Sequence, residues 1–369
     1  MSALPETIKA LQVLPDRKGV EVVTIPWAAQ EKVKNLADDE IVVRVRAVGL
    51  NPTDWKHALG QWGTPGTILG CDAAGDVVKV GSAVKHLKVG DRAAGFNFGG
   101  SWQKDNGAYA EYVRFKAHVS FKLPDDMTYE EAASFPIPHL TAAQALYMRL
   151  GVPKPGAAPA SGDAILIWGG STAVGHHAVQ LAKQSGLTVF ATASPAAWDT
   201  LKALGADHTF DYKAPDVVAQ ITGTPGADRL VLALDTVAEK GSTDAAVDAL
   251  SRARGGTVIT TLPVSDETKA RRADVRVDFT LVYTELGYEL TFAHVATFPA
   301  SQEDAARTLE YVSQDMPKLL EGWKAGQGAP KFKTQRLRKM SGGLESIQEG
   351  LKIMSEGAYG REKLVYTIS

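Results

Sequence analysis

The sequence contains little cysteine, little excess charge and no long apolar run. Cys71 is the one cysteine among 369 residues, which excludes an intramolecular disulfide and a cysteine-rich structural zinc site. The 40 basic and 42 acidic residues nearly cancel, so there is no electrostatic footprint for nucleic acid or an anionic membrane. No apolar run approaches membrane-spanning length, and the N-terminus lacks a basic segment that leads into an apolar one. We therefore expect a cytoplasmic protein that binds small molecules, with no nucleic-acid or membrane partner.

The length of the chain predicts two domains with separate cores. The first third has short β-like runs, such as residues 40–48 and 76–80, broken by glycine-rich turns, which predicts a mostly antiparallel domain. A segment rich in proline and small residues at 151–162 predicts an exposed loop near a boundary. The tail from about residue 331 returns to extended and turn character. We place the domains at 1–140, with 320–369 returning to it, and at 141–319.

The second domain alternates strands and helices, which predicts a doubly wound parallel sheet. Its strand candidates are residues 164–168, 187–193, 209–212, 230–235 and 257–262.

The most informative segment follows the first of these strands. Residues 164–168 form a continuous apolar run, as in a strand buried on both faces. A turn of small residues then opens into a helical pattern from Ala173, which Gly186 ends. Free N–H groups at such a helix N-terminus bind a pyrophosphate. The dinucleotide fingerprint places glycine at three positions, which here are Gly170, Thr172 and Gly175, and the threonine leaves a purely structural turn as the alternative.

The end of the second strand bears on which dinucleotide is bound. NAD-binding chains usually carry an acidic residue there, which would repel a ribose phosphate. This strand ends instead in Ala193 and Ser194, and the following strand brings Tyr212 and Lys213 to the same edge. We therefore predict NADPH as the cofactor. The alternative role for Ser194 is a cap on the following helix.

Several motifs occur at intervals typical of one superfamily. They are VGLNPTD at 48–54, LGCDAAG at 69–75, VGS at 80–82, VGDR at 89–92 and GAYAEY at 107–112. With them the whole chain resembles the medium-chain dehydrogenase/reductase superfamily, in its zinc-independent, quinone reductase-like branch. It is most similar to the fungal trans-acting enoyl reductases of polyketide biosynthesis, through NPTDWK at 51–56, WGGSTA at 168–173 and FDYKAP at 210–215. The resemblance implies an α/β fold with a GroES-like β-rich catalytic domain and a Rossmann cofactor domain.

The positions of the zinc ligands in related alcohol dehydrogenases argue against a catalytic metal. Where those enzymes have a cysteine this chain has Asn51, and where they have His and then Glu it has Cys71 and Asp72. Two possible ligands are too few for a zinc site. Without a metal, alcohol oxidation lacks its Lewis acid, whereas reduction of a conjugated double bond is feasible.

The resemblance also implies the site residues. Lys56 and Thr141 are the catalytic candidates: the lysine orients cofactor or substrate near the nicotinamide ribose, and the threonine lies near the nicotinamide amide. Their alternative roles are an exposed helix lysine and a cap at a helix start. Trp55, Trp62 and Trp102 either line a substrate pocket or pack ordinarily. The implied cofactor-binding residues are Asn51, Pro52, Gly170, Ser171, Thr172, Ala173, Val174, Ser194, Tyr212, Leu262, Lys363 and Leu364.

These interpretations lead to one main hypothesis, the NADPH-dependent reduction of an activated carbon–carbon double bond in a polyketide-type enoyl thioester. Hydride goes to the β carbon, and the protein must stabilise the enolate. No proton donor to the α carbon is identified, and water is a candidate. A quinone or alkenal reductase is one alternative, and a non-catalytic NADPH-binding scaffold or sensor is another. The resemblance implies a monomer that acts on a small-molecule or carrier-bound enoyl substrate, with a polyketide synthase as a possible partner.

Overall fold

The structure is a computed structural model that describes residues 4–60, 62–156, 162–324 and 332–369. The strands of the described residues are β1 Thr7–Val13, β2 Val20–Pro26, β3 Glu40–Gly49, β4 Asp72–Val80, β5 Arg92–Phe96, β6 Tyr112–Lys116, β7 Ser120–Lys122, β8 Ala164–Trp168, β9 Thr188–Thr192, β10 His208–Phe210, β11 Leu230–Asp235, β12 Gly256–Thr260, β13 Val275–Phe279, β14 Leu290–Phe292, β15 Ala296–Phe298, β16 Arg336–Met340 and β17 Glu362–Thr367.

The α-helices are α1 Glu31–Lys34, α2 Pro52–Ala58, α3 Tyr129–Ala133, α4 Pro136–Ala143, α5 Ala173–Gln184, α6 Trp198–Leu204, α7 Val217–Thr222, α8 Ser242–Ala249, α9 Asp266–Lys269, α10 Gln302–Glu310, α11 Met316–Leu320 and α12 Ile347–Ser355. Short 3-10 segments occur at Ala117–Val119, Pro195–Ala197, Ala227–Arg229, Val282–Leu286 and Gly343–Ser346, and π-helical segments at Gln144–Arg149 and Tyr311–Asp315. None of the helices in these described ranges is both long and apolar enough to cross a membrane.

The chain divides into two compact units. The first unit is Met1–Ile137 with Tyr283–Ser369, and the second is Pro138–Val282. The second unit therefore ends well before residue 319, where we placed the boundary from the sequence. Residues 283–319 belong to the first unit because α10 packs against its 3-10 segment at 117–119, where His118 Nε2 lies 2.8 Å from the Glu285 carbonyl oxygen. In the loop predicted at 151–162, residues 157–161 lie outside the described residues, and residues 151–156 are in neither helix nor strand.

The first unit is built on a seven-stranded sheet, as the sequence predicted for a mostly antiparallel domain. Its order is β16-β17-β3-β4-β5-β7, with β6 pairing β3, and all pairs except β16–β17 are antiparallel. The chain's last strand thus pairs with β3, so the tail returns to the first unit as predicted. The tail also contains α12, where we had expected only extended and turn structure. Ile347, Leu351 and Met354 of this helix are spaced at i, i+4 and i+7 and pack into the unit's core.

The second unit has the predicted parallel sheet. Its strand order is β10-β9-β8-β11-β12-β13, and every pairing is parallel, which is the dinucleotide-binding order of the Rossmann fold. The predicted strands at 164–168 and 230–235 have exactly the bounds of β8 and β11. Edge strand β13 was not predicted, because its buried and exposed residues alternate instead of forming an apolar run. The chain is therefore an α/β protein that combines a GroES-like sheet unit with a Rossmann unit.

Candidate active site

Hydrogen bonds from backbone groups and threonine side chains hold the turn after β8. Gly170 N donates to the Thr192 carbonyl oxygen at 2.8 Å, and Gly169 N donates to Thr192 Oγ1 at 3.0 Å. Thr172 is the N-cap of α5, and its Oγ1 accepts from Gly175 N at 3.0 Å. Thr172 Oγ1 also lies 2.8 Å from Thr236 Oγ1. The threonine that breaks the fingerprint is therefore the residue that begins the helix and ties it to the strand-end loop after β11.

Close approach requires glycine at residue 175 and favours it at residue 170. A Cβ on Gly175 would lie 2.2 Å from the Gly169 carbonyl oxygen and 2.8 Å from Gly170 Cα, so the helix could not pack against the turn. A Cβ on Gly170 would lie 3.2 Å from Ala191 Cβ and from Leu201 Cδ1. The fingerprint positions thus carry the packing role that dinucleotide-binding turns give to glycine.

The start of α5 offers donors to an anion. Within the described part of the chain, the backbone N–H groups of Ala173 and Val174 have no hydrogen-bond partner. They lie at the N-terminus of a 12-residue helix, where the partial positive charge favours an anion. Two open donors next to a pair of glycines fit the pyrophosphate of a dinucleotide. Gly170, Ser171, Thr172, Ala173 and Val174 lie together in this turn, as the resemblance implied.

The strand ends beside the turn contain the residues predicted to bind the adenosine phosphate. Ala193 N donates to the Phe210 carbonyl oxygen at 2.9 Å, so the ends of β9 and β10 lie side by side. Ser194 is at the N-cap position of the 3-10 segment Pro195–Ala197, but its side chain makes no capping hydrogen bond. Tyr212 is exposed, and Lys213 Nζ lies 5.7 Å from the centre of its ring. Ser194 therefore does not act as a side-chain cap, which was its alternative role.

Thr141 and Leu262 are the remaining predicted site residues of the second unit. Thr141 is buried near the C-terminal end of α4, so the alternative interpretation as a cap at a helix start is wrong. Leu262 follows β12, and its carbonyl oxygen accepts from Thr260 Oγ1 at 2.6 Å. His176 and His177 are buried in α5, and His177 Nδ1 lies 3.2 Å from His139 Nδ1.

Asp235, at the end of β11, is a site residue that we did not predict. Its Oδ2 accepts from Ser242 Oγ at 2.6 Å and from Thr243 Oγ1 at 2.7 Å, and its Oδ1 accepts from Val237 N at 2.9 Å. The carboxylate therefore fixes the loop after β11, and Thr236 of this loop contacts Thr172 in the turn after β8. The sequence signal is an acid that directly ends an apolar strand at the carboxyl edge of the sheet.

In the first unit, helix α2 carries Lys56 on an aromatic surface. Its ammonium lies 5.1 Å from the Trp62 ring centre and 5.8 Å from that of Trp55. None of the residues that the structure describes forms an ion pair with Lys56, so its charge is held by the indole faces. The side chain is half-buried, which differs from the alternative of a fully exposed helix lysine.

Two buried titratable residues of α2 anchor this helix through hydrogen bonds. Asp54 Oδ2 accepts from Asn51 N and from Tyr109 OH, both at 2.7 Å. His57 Nδ1 lies 2.8 Å from the Thr53 carbonyl oxygen, to which it can donate. Burial raises the pKa of Asp54 to about 6 and lowers the pKa of His57 to about 4, since a low-dielectric environment disfavours each charged form.

The residues at the zinc-ligand positions form a network with Lys363. Lys363 Nζ donates to Asn51 Oδ1 at 2.5 Å and lies 3.3 Å from Asp72 Oδ2. Asn51 Nδ2 donates to the same Asp72 oxygen at 2.8 Å, and Ile137 N donates to Asp72 Oδ1 at 2.9 Å. Lys363, which we predicted as a cofactor contact, therefore directs its ammonium to Asn51 and Asp72. Leu364 is buried beside it, and its carbonyl oxygen accepts from Leu50 N.

This donor set does not suit zinc. Cys71 Sγ lies 3.3 Å from Tyr283 OH, and burial raises the pKa of its thiol well above the usual value, whereas zinc binds the thiolate. The oxygen donors of Asn51 and Asp72 already bind an ammonium. Across the described ranges, no group of three or more His, Cys, Asp or Glu side chains is arranged to hold a metal ion.

Aromatic rings form a wall next to the Lys56 surface. The rings of Phe98 and Tyr283 stack with centres 4.1 Å apart, and Phe292 lies 5.9 Å from Phe98. Trp62 meets Phe292 edge to face at 5.4 Å, so it belongs both to this wall and to the Lys56 site. Trp102 contacts Tyr288 instead and is 53% exposed, so it is not part of the wall.

Comparisons with known proteins agree with this arrangement. Residues 37–125 match the family described as alcohol dehydrogenase GroES-like domain, and residues 173–287 match the zinc-binding dehydrogenase family. The chain is 41% identical over 362 residues to the trans-enoyl reductase ACTTS2 of Alternaria alternata, which covers 96% of this chain and 98% of that protein. It is 34% identical to the lovastatin nonaketide synthase enoyl reductase component lovC of Aspergillus terreus, with 89% of each chain covered.

Among solved structures, the CurK enoyl reductase superposes with a TM-score of 0.70 at 20% identity, over 99% of this chain and 100% of that one. That likeness concerns the fold. Sequence identity over almost the full length, the two family matches and the strand orders of both units lead to one assignment. The chain belongs to the medium-chain dehydrogenase/reductase superfamily and, within it, to the family of the fungal trans-enoyl reductases.

Proposed function

We propose that the protein is an NADPH-dependent, metal-free enoyl reductase that reduces the conjugated double bond of a polyketide-type enoyl thioester. The observation that supports the proposal is that one chain has both features: the second unit has a turn with free N–H donors, and the first unit has a donor set that does not suit zinc. A nicotinamide cofactor is implied by the family and the Rossmann sheet, whereas the Lewis acid that alcohol oxidation needs has no fitting ligands. The names of the relatives at 41% and 34% identity support the same reaction.

The choice of NADPH over NADH is supported by the strand ends at the adenosine side. No acidic residue follows β9, where it would repel a ribose phosphate. Ser194 has a hydroxyl without a capping bond, and Tyr212 and Lys213 lie after the neighbouring strand. A hydroxyl, a phenol and an ammonium are suitable partners for a phosphate.

Lys56 is proposed to stabilise negative charge on the substrate. When bound, the cofactor supplies the hydride to the β carbon, and charge then develops on the thioester oxygen. An ammonium held on indole faces without a carboxylate partner keeps its charge available for that oxygen. Thr141 is proposed to lie near the nicotinamide amide, and water is proposed to protonate the α carbon.

The substrate's source is also a proposal. The relatives named as trans-enoyl reductases and as a synthase component support an acyl chain delivered on the carrier of a polyketide synthase. We further propose that the protein acts as a cytoplasmic monomer.

The reaction is tested by the loss of NADPH absorbance with a crotonyl thioester carrier mimic, compared with a quinone and an alkenal, and with NADH in parallel. Oxidation of NADPH by the thioester is the expected result. Consumption only with the quinone or alkenal would replace the proposal by that reductase activity. NADPH binding without consumption of any substrate would favour a scaffold or sensor.

The role of Lys56 is tested with Lys56→Ala. We expect the turnover number to fall by about 100-fold, as for removal of one donor to a developing oxyanion, while the NADPH dissociation constant changes by about twofold or less. Lys352→Ala on α12 is the matched control, because that lysine is exposed. Unchanged turnover in Lys56→Ala would remove this residue from the mechanism.

A further inference from the structure

The buried lysine at the end of the chain has a position prepared for it. Lys363 is 4% exposed, Asn51 2% and Asp72 fully buried. The lysine stem passes Gly49, where a Cβ would lie 3.2 Å from Lys363 Cε and 2.2 Å from the Ala133 carbonyl oxygen. A side chain at residue 49 would therefore displace both the end of α3 and the lysine stem, so glycine at this position leaves room for the stem.

The charges of this pocket are balanced within it. A buried ammonium is costly unless it is paired and hydrogen-bonded. Lys363 has one carboxylate partner, Asp72, and one amide partner, Asn51. Both oxygens of Asp72 accept hydrogen bonds, one of them from Ile137 N. The pocket thus contains a complete cation, carboxylate and amide set in which the oxygen donors available to a metal already bind the lysine.

The network sets the position of Asn51, the residue directly before α2. Asn51 is the N-cap residue of α2, and its side chain is held at both ends, with Oδ1 on Lys363 and Nδ2 on Asp72. Its backbone N–H is held by Asp54. Lys56 lies on the same helix, one turn further along.

We propose that Lys363 is the resident cation of this pocket, in the place of a metal ion, and that it is a positioning residue for Asn51, Pro52 and the Lys56 helix. This inference rests on the proposed function, since it takes Asn51 and Pro52 as residues that bind the cofactor and Lys56 as a residue that contacts the substrate. The lysine acts on Pro52 and Lys56 through its hydrogen bond with Asn51. Because Lys363 satisfies the oxygen donors, the pocket also excludes zinc.

The test is Lys363→Met, which removes the charge and keeps much of the stem. Arg114→Met is the matched control, since Arg114 is a buried cation of the same unit, paired with Glu40 at 3.1 Å and Asp105 at 3.3 Å, and it lies outside the Asn51 network. We expect Lys363→Met to lower turnover at least about tenfold and to weaken NADPH binding measured by fluorescence titration, with Arg114→Met within about twofold of wild type in both.

If Lys363→Met does not fold, Asp72→Asn/Lys363→Met removes both charges and avoids an unpaired buried carboxylate. We expect this double variant to fold and still to show weakened NADPH binding and turnover, because Asn51 has lost its ammonium. Wild-type values in either folded variant would overturn the proposal. A wild type that binds NADPH but reduces nothing would refute the proposed function and leave the binding comparison intact.

Zinc analysis gives an independent result. After incubation with zinc and desalting, wild-type protein is expected to contain no stoichiometric zinc by elemental analysis. One zinc per chain, lost in Asp72→Asn, would overturn the assignment of Lys363 as the resident cation.

Discussion

Gly175→Ala tests whether the turn after β8 binds the pyrophosphate. The added Cβ would lie 2.2 Å from the Gly169 carbonyl oxygen, whereas ordinary contact begins at 3.4 Å, so turn and helix must separate by about 1 Å. Overpacking of this kind costs about 1–3 kcal/mol, and the better helix propensity of alanine offsets up to about 1 kcal/mol of it. Stability should therefore fall by no more than about 3 kcal/mol.

NADPH affinity should fall together with stability. A shift of about 1 Å lengthens hydrogen bonds from the Ala173 and Val174 N–H groups beyond their useful range. One charge-assisted bond contributes about 1.5–3 kcal/mol, so we expect the dissociation constant to rise about ten- to 100-fold. Fluorescence titration measures that constant, and thermal unfolding measures stability.

The control for this variant is Gly223→Ala at the end of α7. Its φ is −81°, and an added Cβ would lie 3.1 Å from the Ala219 carbonyl oxygen as its nearest contact. This variant should bind NADPH like the wild type. A folded Gly175→Ala protein whose NADPH dissociation constant stays within about twofold of wild type would refute the assignment of the turn.

Two further predictions concern pH. The pKa of His57 is about 4 in the folded protein, below the ordinary histidine value of 6.5. The stabilisation from the neutral imidazole is therefore complete above pH 6.5 and falls as pH drops toward 4. The stability difference between wild type and His57→Asn should thus shrink by roughly 3 kcal/mol over that range, measured by urea unfolding. The pKa of Asp54 is raised from 3.8 to about 6, so the sign is opposite: relative to Asp54→Asn, the wild type should lose roughly 2 kcal/mol as pH rises from 4 to 6. A pH-independent difference in either pair would contradict the corresponding burial argument.

The turn after β8 was predictable because its signals are local. An apolar run bounded by small residues specifies β8, and the periodicity from Ala173 to Gly186 specifies α5 with a glycine at φ +83° after its end. The sequence pattern could not show that Thr172 also contacts Thr236, which is 64 residues away, whereas its capping contact with Gly175 is local. Thr172 is a mismatch to the dinucleotide fingerprint, but in the fold it is the N-cap of α5.

The zinc-position network was not predictable for the same reason at longer range. Lys363 is 312 residues from Asn51 and 291 from Asp72, and no periodicity links a lysine in the last strand to an asparagine before α2. Residue-by-residue comparison showed which ligands were missing from the metal position. It could not show which group supplies the positive charge, because that depends on the pairing of β17 with β3.

Thr172 and Lys363 therefore support one interpretation of how this chain differs from zinc-dependent relatives. Thr172 stands where the fingerprint is broken, and Lys363 contacts the positions that lack zinc ligands. Each side chain satisfies polar groups beside it. The threonine hydroxyl satisfies a helix N–H that would otherwise have no partner, and the lysine ammonium satisfies the carboxylate and amide at the ligand positions. An unfilled vacancy at the ligand positions would leave Asp72 buried without a counter-charge, which is strongly unfavourable. In this chain the lysine is thus a fixed internal cation that balances Asp72 and holds Asn51 without providing a Lewis acid.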